Sequence, residues 1–357
     1  MVAKKLVLDM QDRRSIWAMP PWVPERIRAA LPPGWSLQVI DEPADGSGDG
    51  SARVAPAVLA AVTDAGGYLG FGIPMEVLAR GAGLVWVHSG SAGVGSSLTP
   101  ELMSRPDLVF TNSAGIHAAP MAETVLGMIL HFTRGLDLAL DGQARGEWAQ
   151  ERFFASDAPV VELASATVGI LGFGGIGYEV GRRVAALGAR VIGVVRRPRA
   201  RAVEALVAVG SDAVVGIAEL VHGESGTARM LEESDVVVVA APDTPATRGF
   251  VDRARLARMK RGAILINVAR GKLVDEDALV EALRAGRIRG AGLDVFGTEP
   301  LPAGHSLWTA PNVLLTPHVS AVTRGFWERE TELILANVAA LAGGRPLRNV
   351  VDRNAGY

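Results

Sequence analysis

Thr167–Gly188 reads TVGILGFGGIGYEVGRRVAALG. Its first five residues have the makeup of a buried strand, and from Ile176 to Leu187 apolar residues recur at helical spacing. Between them stands Gly172-x-Gly174-x-x-Gly177. In a strand-to-helix turn that binds a dinucleotide, the first glycine permits the tight turn and the second lets backbone approach the pyrophosphate. The third allows the helix to pack closely on the strand. The N–H groups where the helix starts, at Gly175 and Ile176, then face the anion. In a chain with 42 glycines the spacing alone carries little weight. Its place between strand and helix selects dinucleotide binding over a merely structural turn.

Reading onward, an NAD-binding unit carries an acidic residue about 20 positions later, which grips the ribose 2′-hydroxyl. Here that position falls in VVRRPR, Val194–Arg199, and no Asp or Glu lies between Arg190 and Arg201. Arg196 ends the strand pattern ARVIGVV, with Arg197 beside it. Such arginines suit a 2′-phosphate, which a guanidinium binds through two donors. The expectation is NADP as the preferred cofactor, with NAD left open. The alternative is a set of solvated arginines on a βα loop.

Short β-rich runs and helical patterns alternate along nearly the whole chain. KKLVLDM, WSLQVI, GYLGFG, LVWVHSG and LVFTNS read as a first set of strands. ATVGILGFGG, ARVIGVV, SDVVVVAAP, GAILINVA, GAGLDVF and NVLLTP read as a second. Their continuous apolar character suits parallel strands buried on both faces. The expected fold class is therefore α/β, with two doubly wound parallel-sheet domains. A Rossmann cofactor domain, residues 114–323, is inserted into a flavodoxin-like substrate domain built from 1–113 and 324–357. APMAETVLGMILHFTRGL, residues 119–136, is a strongly apolar helix pattern. It reads either as a bridge between the halves or as a subunit interface. The last helix, in GFWERETELILANVAALAGG, is closed by Gly343 and is expected to return to the first domain.

With 36 basic and 38 acidic residues among 357, no basic field recruits nucleic acid or an acidic membrane surface. The chain has no cysteine, which removes disulfides, thiolate metal sites and cysteine nucleophiles and fits a cytoplasmic protein. No metal is expected. The apolar run near the N-terminus stops at Asp9, too short for a signal peptide. VVVVAAP, from Val236, is far too short to span a bilayer.

A nicotinamide enzyme needs an acid/base, a group that orients the substrate and a partner that poises the acid. Of the six histidines, His131 lies in the apolar helix and reads as packing, and His222 reads as part of a polar loop. His318, in NVLLTPHVSA, follows directly on a strand, and strand carboxyl ends are where doubly wound sheets hold ligands. Arg270 ends another strand, placed either to bind a carboxylate or simply to cap a helix. Asp294 ends a third. Glu299 follows five residues on and, read alone, is an ordinary loop carboxylate. A short-chain dehydrogenase would need Tyr and Lys four apart, and neither Tyr68 nor Tyr178 has that partner.

ILINVARGKLVDEDALVEALRAGRIRGAGLDVFGTEPLP and PNVLLTPHVS, with GILGFGGIG and SDVVVVAAPDTPATRGF upstream, resemble the signature regions of the D-isomer-specific 2-hydroxyacid dehydrogenase family. The resemblance covers about residues 84–320, is weak in the first 80, and is nearest to the glyoxylate/hydroxypyruvate reductase type. It implies that Arg270 holds the substrate carboxylate and polarises the carbonyl, that His318 is the acid/base, and that Glu299 hydrogen-bonds His318. A carboxylate in that position favours the charged imidazolium. By the same resemblance Asp294 holds the nicotinamide carboxamide, Pro242 and Thr247 line the cofactor, Ser91, Ala92 and Gly93 cradle the substrate carboxylate, and the protein is a homodimer. Three positions depart from the family pattern. Arg196 stands where NAD-using members carry an acid, Gly95 where many have Asp, and Gly297 where many have Glu.

The expected activity is reduction of a small 2-keto acid to a D-2-hydroxy acid with hydride from NADPH. Two alternatives stay open. One is an NAD-linked dehydrogenase of a larger, phosphoglycerate-like 2-hydroxy acid. The other is a nucleotide-sensing, corepressor-like binding protein without turnover.

Overall fold

The computed structural model describes residues 4–43, 54–196 and 218–354. The chain divides into two compact units, one made of Met1–His117 with Val322–Tyr357, the other of Ala118–Ala321.

The first unit runs β1 (Lys4–Asp9), α1 (Trp22–Ala30), β2 (Trp35–Val39), α2 (Pro56–Val62), β3 (Ala65–Gly70), α3 (Met75–Arg80), β4 (Trp86–Ser89), α4 (Pro100–Met103) and β5 (Val109–Asn112). Its strands pair in the order β2-β1-β3-β4-β5, all parallel. That is the flavodoxin-like order. Alternation along each strand splits the core in two. Val7, Tyr68, Val87 and Phe110 pack on one face, and Leu6, Leu8, Leu69 and Trp86 on the other.

The second unit runs α5 (Ala118–Thr133), α6 (Leu136–Arg145), α7 (Glu151–Phe154), β6 (Thr167–Leu171), α8 (Gly175–Ala186), β7 (Arg190–Val195) and β8 (Glu219–His222). It continues with α9 (Gly223–Glu233), β9 (Val236–Val239), α10 (Arg253–Arg258), β10 (Ile264–Asn267), α11 (Glu276–Arg284), β11 (Gly290–Leu293) and β12 (Val313–Leu315). The sheet order is β12-β11-β10-β9-β6-β7-β8, again all parallel. This is the Rossmann order, and it reverses direction between β6 and β9. Val236 and Val238 face one core and Val237 and Val239 the other, which is why this strand reads as an unbroken valine run.

One sequence expectation is corrected here. His222 is not in a polar loop: it ends the edge strand β8 and pairs in register with Val195 of β7. The apolar helix pattern at 119–136 forms α5, whose apolar face packs within the second unit. Met121, Ala122, Val125, Met128, Ile129 and Phe132 of α5 are buried in the core of its own unit. A side chain at Gly290 would sit 2.7 Å from the Phe132 ring, and one at Gly292 would sit 2.9 Å from the Met128 sulfur. Those two glycines let α5 lie close against β11. His131 packs edge-on against Phe132 at 4.8 Å, and burial pushes its imidazole below the usual value.

The last helix, α12 (Phe326–Ala342), belongs to the first unit, where Ile334 and Val338 join the Leu6–Leu8 core. Its Glu330 is fully buried. One oxygen lies 2.7 Å from His88 Nε2, and the other accepts from the Ser113 hydroxyl at 2.8 Å. Thr111 Oγ1 meets the other His88 nitrogen at 2.8 Å, so the polar cluster is closed on itself. Among the described residues no helix is long and apolar enough to cross a membrane.

Candidate active site

The glycine turn has the shape its sequence requires. Gly172 sits at φ 93°, in the left-handed region. A Cβ there would lie 2.6 Å from the Ala241 backbone, so the ends of β6 and β9 meet without room for a side chain. At Gly177 a Cβ would collide with the Gly172 carbonyl oxygen. Around Gly174 no atom lies within 4 Å of where a Cβ would point, which leaves its backbone open to a ligand. Gly175 and Ile176 begin α8 with no side chain capping its first N–H groups. Pro242 follows β9 across the switch point, and its carbonyl accepts from the Thr247 hydroxyl at 2.6 Å. These residues fit a dinucleotide pyrophosphate. Arg196 is exposed directly after β7, the strand next to β6. Arg197 lies outside the described residues.

Three neighbouring strands carry the remaining candidates to one sheet edge. Arg270 follows β10, Asp294 and Glu299 follow β11, and His318 follows β12. Buried Asn267, the last residue of β10, accepts from Ala269 N at 3.1 Å and donates to the Arg270 carbonyl at 3.0 Å. It thereby fixes the backbone that carries Arg270. The guanidinium of Arg270 is exposed and donates to the Ala269 carbonyl at 2.6 Å, leaving further donors on its fork.

Glu299 and His318 meet. His318 Nδ1 lies 2.6 Å from Glu299 Oε2, while Glu299 Oε1 accepts from Phe296 N at 2.9 Å. Both side chains stay partly exposed, at 46% for His318 and 35% for Glu299. With Nδ1–H given to the carboxylate, Nε2 is the nitrogen left to face a substrate. His318 itself holds φ 54°, an uncommon backbone for a residue with a side chain.

Asp294 accounts for that backbone. It is fully buried. Its Oδ1 accepts from the Thr316 hydroxyl at 2.6 Å and from Val319 N at 2.9 Å, and its Oδ2 accepts from Ser320 N at 3.0 Å. Of the roughly four acceptor positions on a carboxylate, only about one is left for a carboxamide. The loop-holding role of Asp294, and the parts played by Asn267 and Thr316, are not apparent from the sequence. The one available signal is a polar residue at the end of an apolar strand.

Ser91, Ala92 and Gly93 follow β4 in the first unit. Ser91 Oγ donates to the Phe71 carbonyl at 2.7 Å and Asn112 Nδ2 donates to the Ala92 carbonyl at 2.9 Å, while Ala92 and Gly93 are exposed. The turn is thus held from beneath with its outer backbone open.

A Rossmann sheet, an open glycine turn and a paired histidine and glutamate beside it define a nicotinamide-dependent dehydrogenase class of site. The family model for the NAD-binding domain of D-isomer specific 2-hydroxyacid dehydrogenases matches residues 126–320, and the chain belongs to that family. Among curated proteins it is 34% identical to the glycerate dehydrogenase of Methylorubrum extorquens, over 64% of this chain and 67% of that one. It is 33% identical to the D-3-phosphoglycerate dehydrogenase of Methanocaldococcus jannaschii, over 74% of this chain and 47% of that one, so it spans about half the length of that relative. Among solved structures, a D-isomer specific 2-hydroxyacid dehydrogenase from Xanthobacter autotrophicus Py2 in complex with NADPH and MES aligns over 100% of both chains. It is 30% identical, with a TM-score of 0.76. An NADPH-dependent glyoxylate/hydroxypyruvate reductase from Sinorhizobium meliloti in complex with NADP and sulfate aligns over 99% of this chain and 100% of that one, at 28% identity and a TM-score of 0.75.

Asp294→Asn offers a direct check on the loop. The amide replaces one acceptor oxygen with a donor facing a backbone N–H, a mismatch costing about 1–3 kcal/mol. The variant is expected to melt at lower temperature and to lose roughly tenfold or more in kcat. Calorimetry and steady-state kinetics read both, and an unchanged kcat would remove Asp294 from the support of His318.

Proposed function

We propose that this protein reduces a small 2-keto acid, of the glyoxylate or hydroxypyruvate kind, to the D-2-hydroxy acid, with NADPH as the preferred cofactor and NAD as a second one. The observation that carries the reading is the 2.6 Å contact between His318 and Glu299 at the strand ends next to Arg270. Arg270 binds the substrate carboxylate through its fork and draws electron density from the neighbouring carbonyl. When bound, the nicotinamide supplies a hydride to the keto carbon. His318 gives the proton on Nε2 to the keto oxygen, so that C=O becomes CH–OH and the imidazolium becomes imidazole. Glu299 remains ionised throughout and keeps the proton on Nδ1. Gly172, Gly174, Gly175, Ile176 and Gly177 hold the pyrophosphate, and Pro242, Thr247 and Asp294 serve the rest of the cofactor. The Ser91–Gly93 turn presents backbone N–H groups to a carboxylate.

A phosphorylated substrate, as the name of the Methanocaldococcus relative would imply, needs cations near that turn. In residues 85–98 the only basic side chain is His88, and it is fully buried between Thr111 and Glu330. That favours the small, unphosphorylated acid. Replacing His318 with Ala should lower kcat by about 100-fold or more while NADPH affinity persists. Near-normal turnover in that variant would end the acid/base assignment.

The preference for NADPH rests on Arg196, which occupies the end of β7 where an NAD-linked unit carries an acid. A charge-assisted hydrogen bond to the 2′-phosphate contributes about 1.5–3 kcal/mol, or roughly ten- to a hundredfold in affinity. Arg196→Asp is expected to erode or invert the ratio of kcat/KM for NADPH over NADH. A ratio near unity in the unaltered protein would make Arg196 a surface residue.

We also propose a homodimer. Its contact surface lies less on α5 than on the segment after it, where Leu136, Leu140, Trp148 and Phe154 are exposed. Trp148 is 90% exposed, unusual for the largest apolar side chain in a soluble fold. Sedimentation equilibrium should return twice the chain mass, and the mass of a single chain would contradict the assignment.

A further inference from the structure

The turn that carries Glu299 is fastened from outside by a second carboxylate. We propose that Glu276, the first residue of α11, is a positioning residue that sets Glu299 and, through it, His318. This inference rests on the roles given to that pair above.

The turn Phe296–Glu299 presents two backbone N–H groups. Phe296 N donates to Glu299 itself, and Gly297 N donates to Glu276 Oε1 at 2.7 Å. The helix does not need Glu276 as its cap, because Asp275 already accepts from Ala278 N at 3.0 Å. The second oxygen of Glu276 lies 3.4 Å from His305 Nε2. His305 Nδ1 accepts from Leu307 N at 3.3 Å, which leaves the ring proton on Nε2, the nitrogen nearer Glu276. Glu276 is thus hydrogen-bonded at one oxygen and has the His305 ring near the other, with a side chain only 16% exposed. A charge-assisted bond to a backbone N–H is among the stronger ways to pin a turn.

Glu276 lies on the same segment as Arg270. Gly271, directly after Arg270, is pressed against the turn so tightly that a Cβ there would overlap the Phe296 carbonyl. The hydrogen bond from Gly297 to Glu276 closes the other side of that contact. The result is a staple between the segment of Arg270 and the turn of Glu299, and it sets the spacing of the two functional groups. Gly297 leaves the space open, since a Cβ at that position would stand 3.3 Å from Glu276 Oε2. The carboxylate that meets Gly297 N comes from the helix, whereas the one that meets Phe296 N comes from the turn itself.

The test is a double-mutant cycle read by steady-state kinetics with glyoxylate and NADPH, alongside NADPH binding by fluorescence and thermal melting. Glu276→Ala is expected to lower kcat about tenfold, with the NADPH dissociation constant unchanged within about twofold. Glu276→Gln keeps an oxygen for Gly297 N–H and should restore most of the loss. In a Glu299→Gln background, Glu276→Ala should cost less than about twofold, because its effect runs through Glu299. Should Glu276→Ala fail to fold, Glu276→Met, which keeps helix propensity and length without an acceptor, carries the same expectation. Full kcat in Glu276→Ala while Glu299→Gln is impaired overturns the positioning role alone. An equal loss from Glu276→Ala in both backgrounds does the same. Full kcat in Glu299→Gln overturns the reading of the Glu299–His318 pair, and the role of Glu276 with it.

Discussion

The carboxylate of Asp294 constrains one loop of the second unit at three points. Three donors from a single loop converge on it in a place with no solvent. Each would cost about 1–3 kcal/mol if left unmet, so the loop 316–320 has little choice of conformation. The left-handed backbone of His318 follows from that closure rather than from its own preference. Asn267 does similar work one strand over, where its amide ties the Ala269–Arg270 backbone to the end of β10. Two buried polar side chains at strand ends thus fix the backbone that carries Arg270 and His318.

Fixing backbone in this way demands close packing. The ends of β6 and β9 touch at Gly172 and Ala241, and the segment of Arg270 touches the turn of Glu299 at Gly271. A methyl group at either place would have to push main chain aside, and packed interiors resist such shifts. The parallel sheet makes these contacts local. All seven strands of this unit deliver their carboxyl ends to one edge, so loops far apart in sequence become neighbours there.

Much of this could be read in advance. Valine-rich runs marked the strands buried on both faces, and β6 and α8 were legible from their apolar patterns on either side of Gly172–Gly177. Arg270 and His318 stood out as polar residues directly after strands, whereas Glu299 read alone as an ordinary loop carboxylate and joined them only through the family resemblance. What escaped was whatever lacked an apolar signature. β8 is four residues at the sheet edge with only Leu220 and Val221 apolar, so His222 read as loop. The apolar face of α5 was legible, but its target was not, because glycines at 290 and 292 leave no hydrophobic trace of the surface it covers. The staple at Glu276 was hidden for another reason. A glutamate in the first turn of a helix is what the helix dipole favours anyway, so its side-chain destination is silent in the sequence.

Among the described residues, three Glu–His pairs occur, and they differ chiefly in access. Glu330 and His88 are fully buried, with both ring nitrogens and both carboxylate oxygens engaged inside the first unit. A pair without access exchanges no proton with a ligand, and its bonds instead tie α12 to β4 and β5. Glu276 and His305 are largely shielded, and their bonds end on backbone N–H groups of two loops. Only Glu299 and His318 keep one ring nitrogen unclaimed on a side chain nearly half exposed. In the roles proposed above, the same two groups serve as a lock, a staple and an acid, and the number of unmet hydrogen-bonding positions separates the three. The proposed proton transfer therefore depends as much on leaving His318 Nε2 unpaired as on pairing Nδ1.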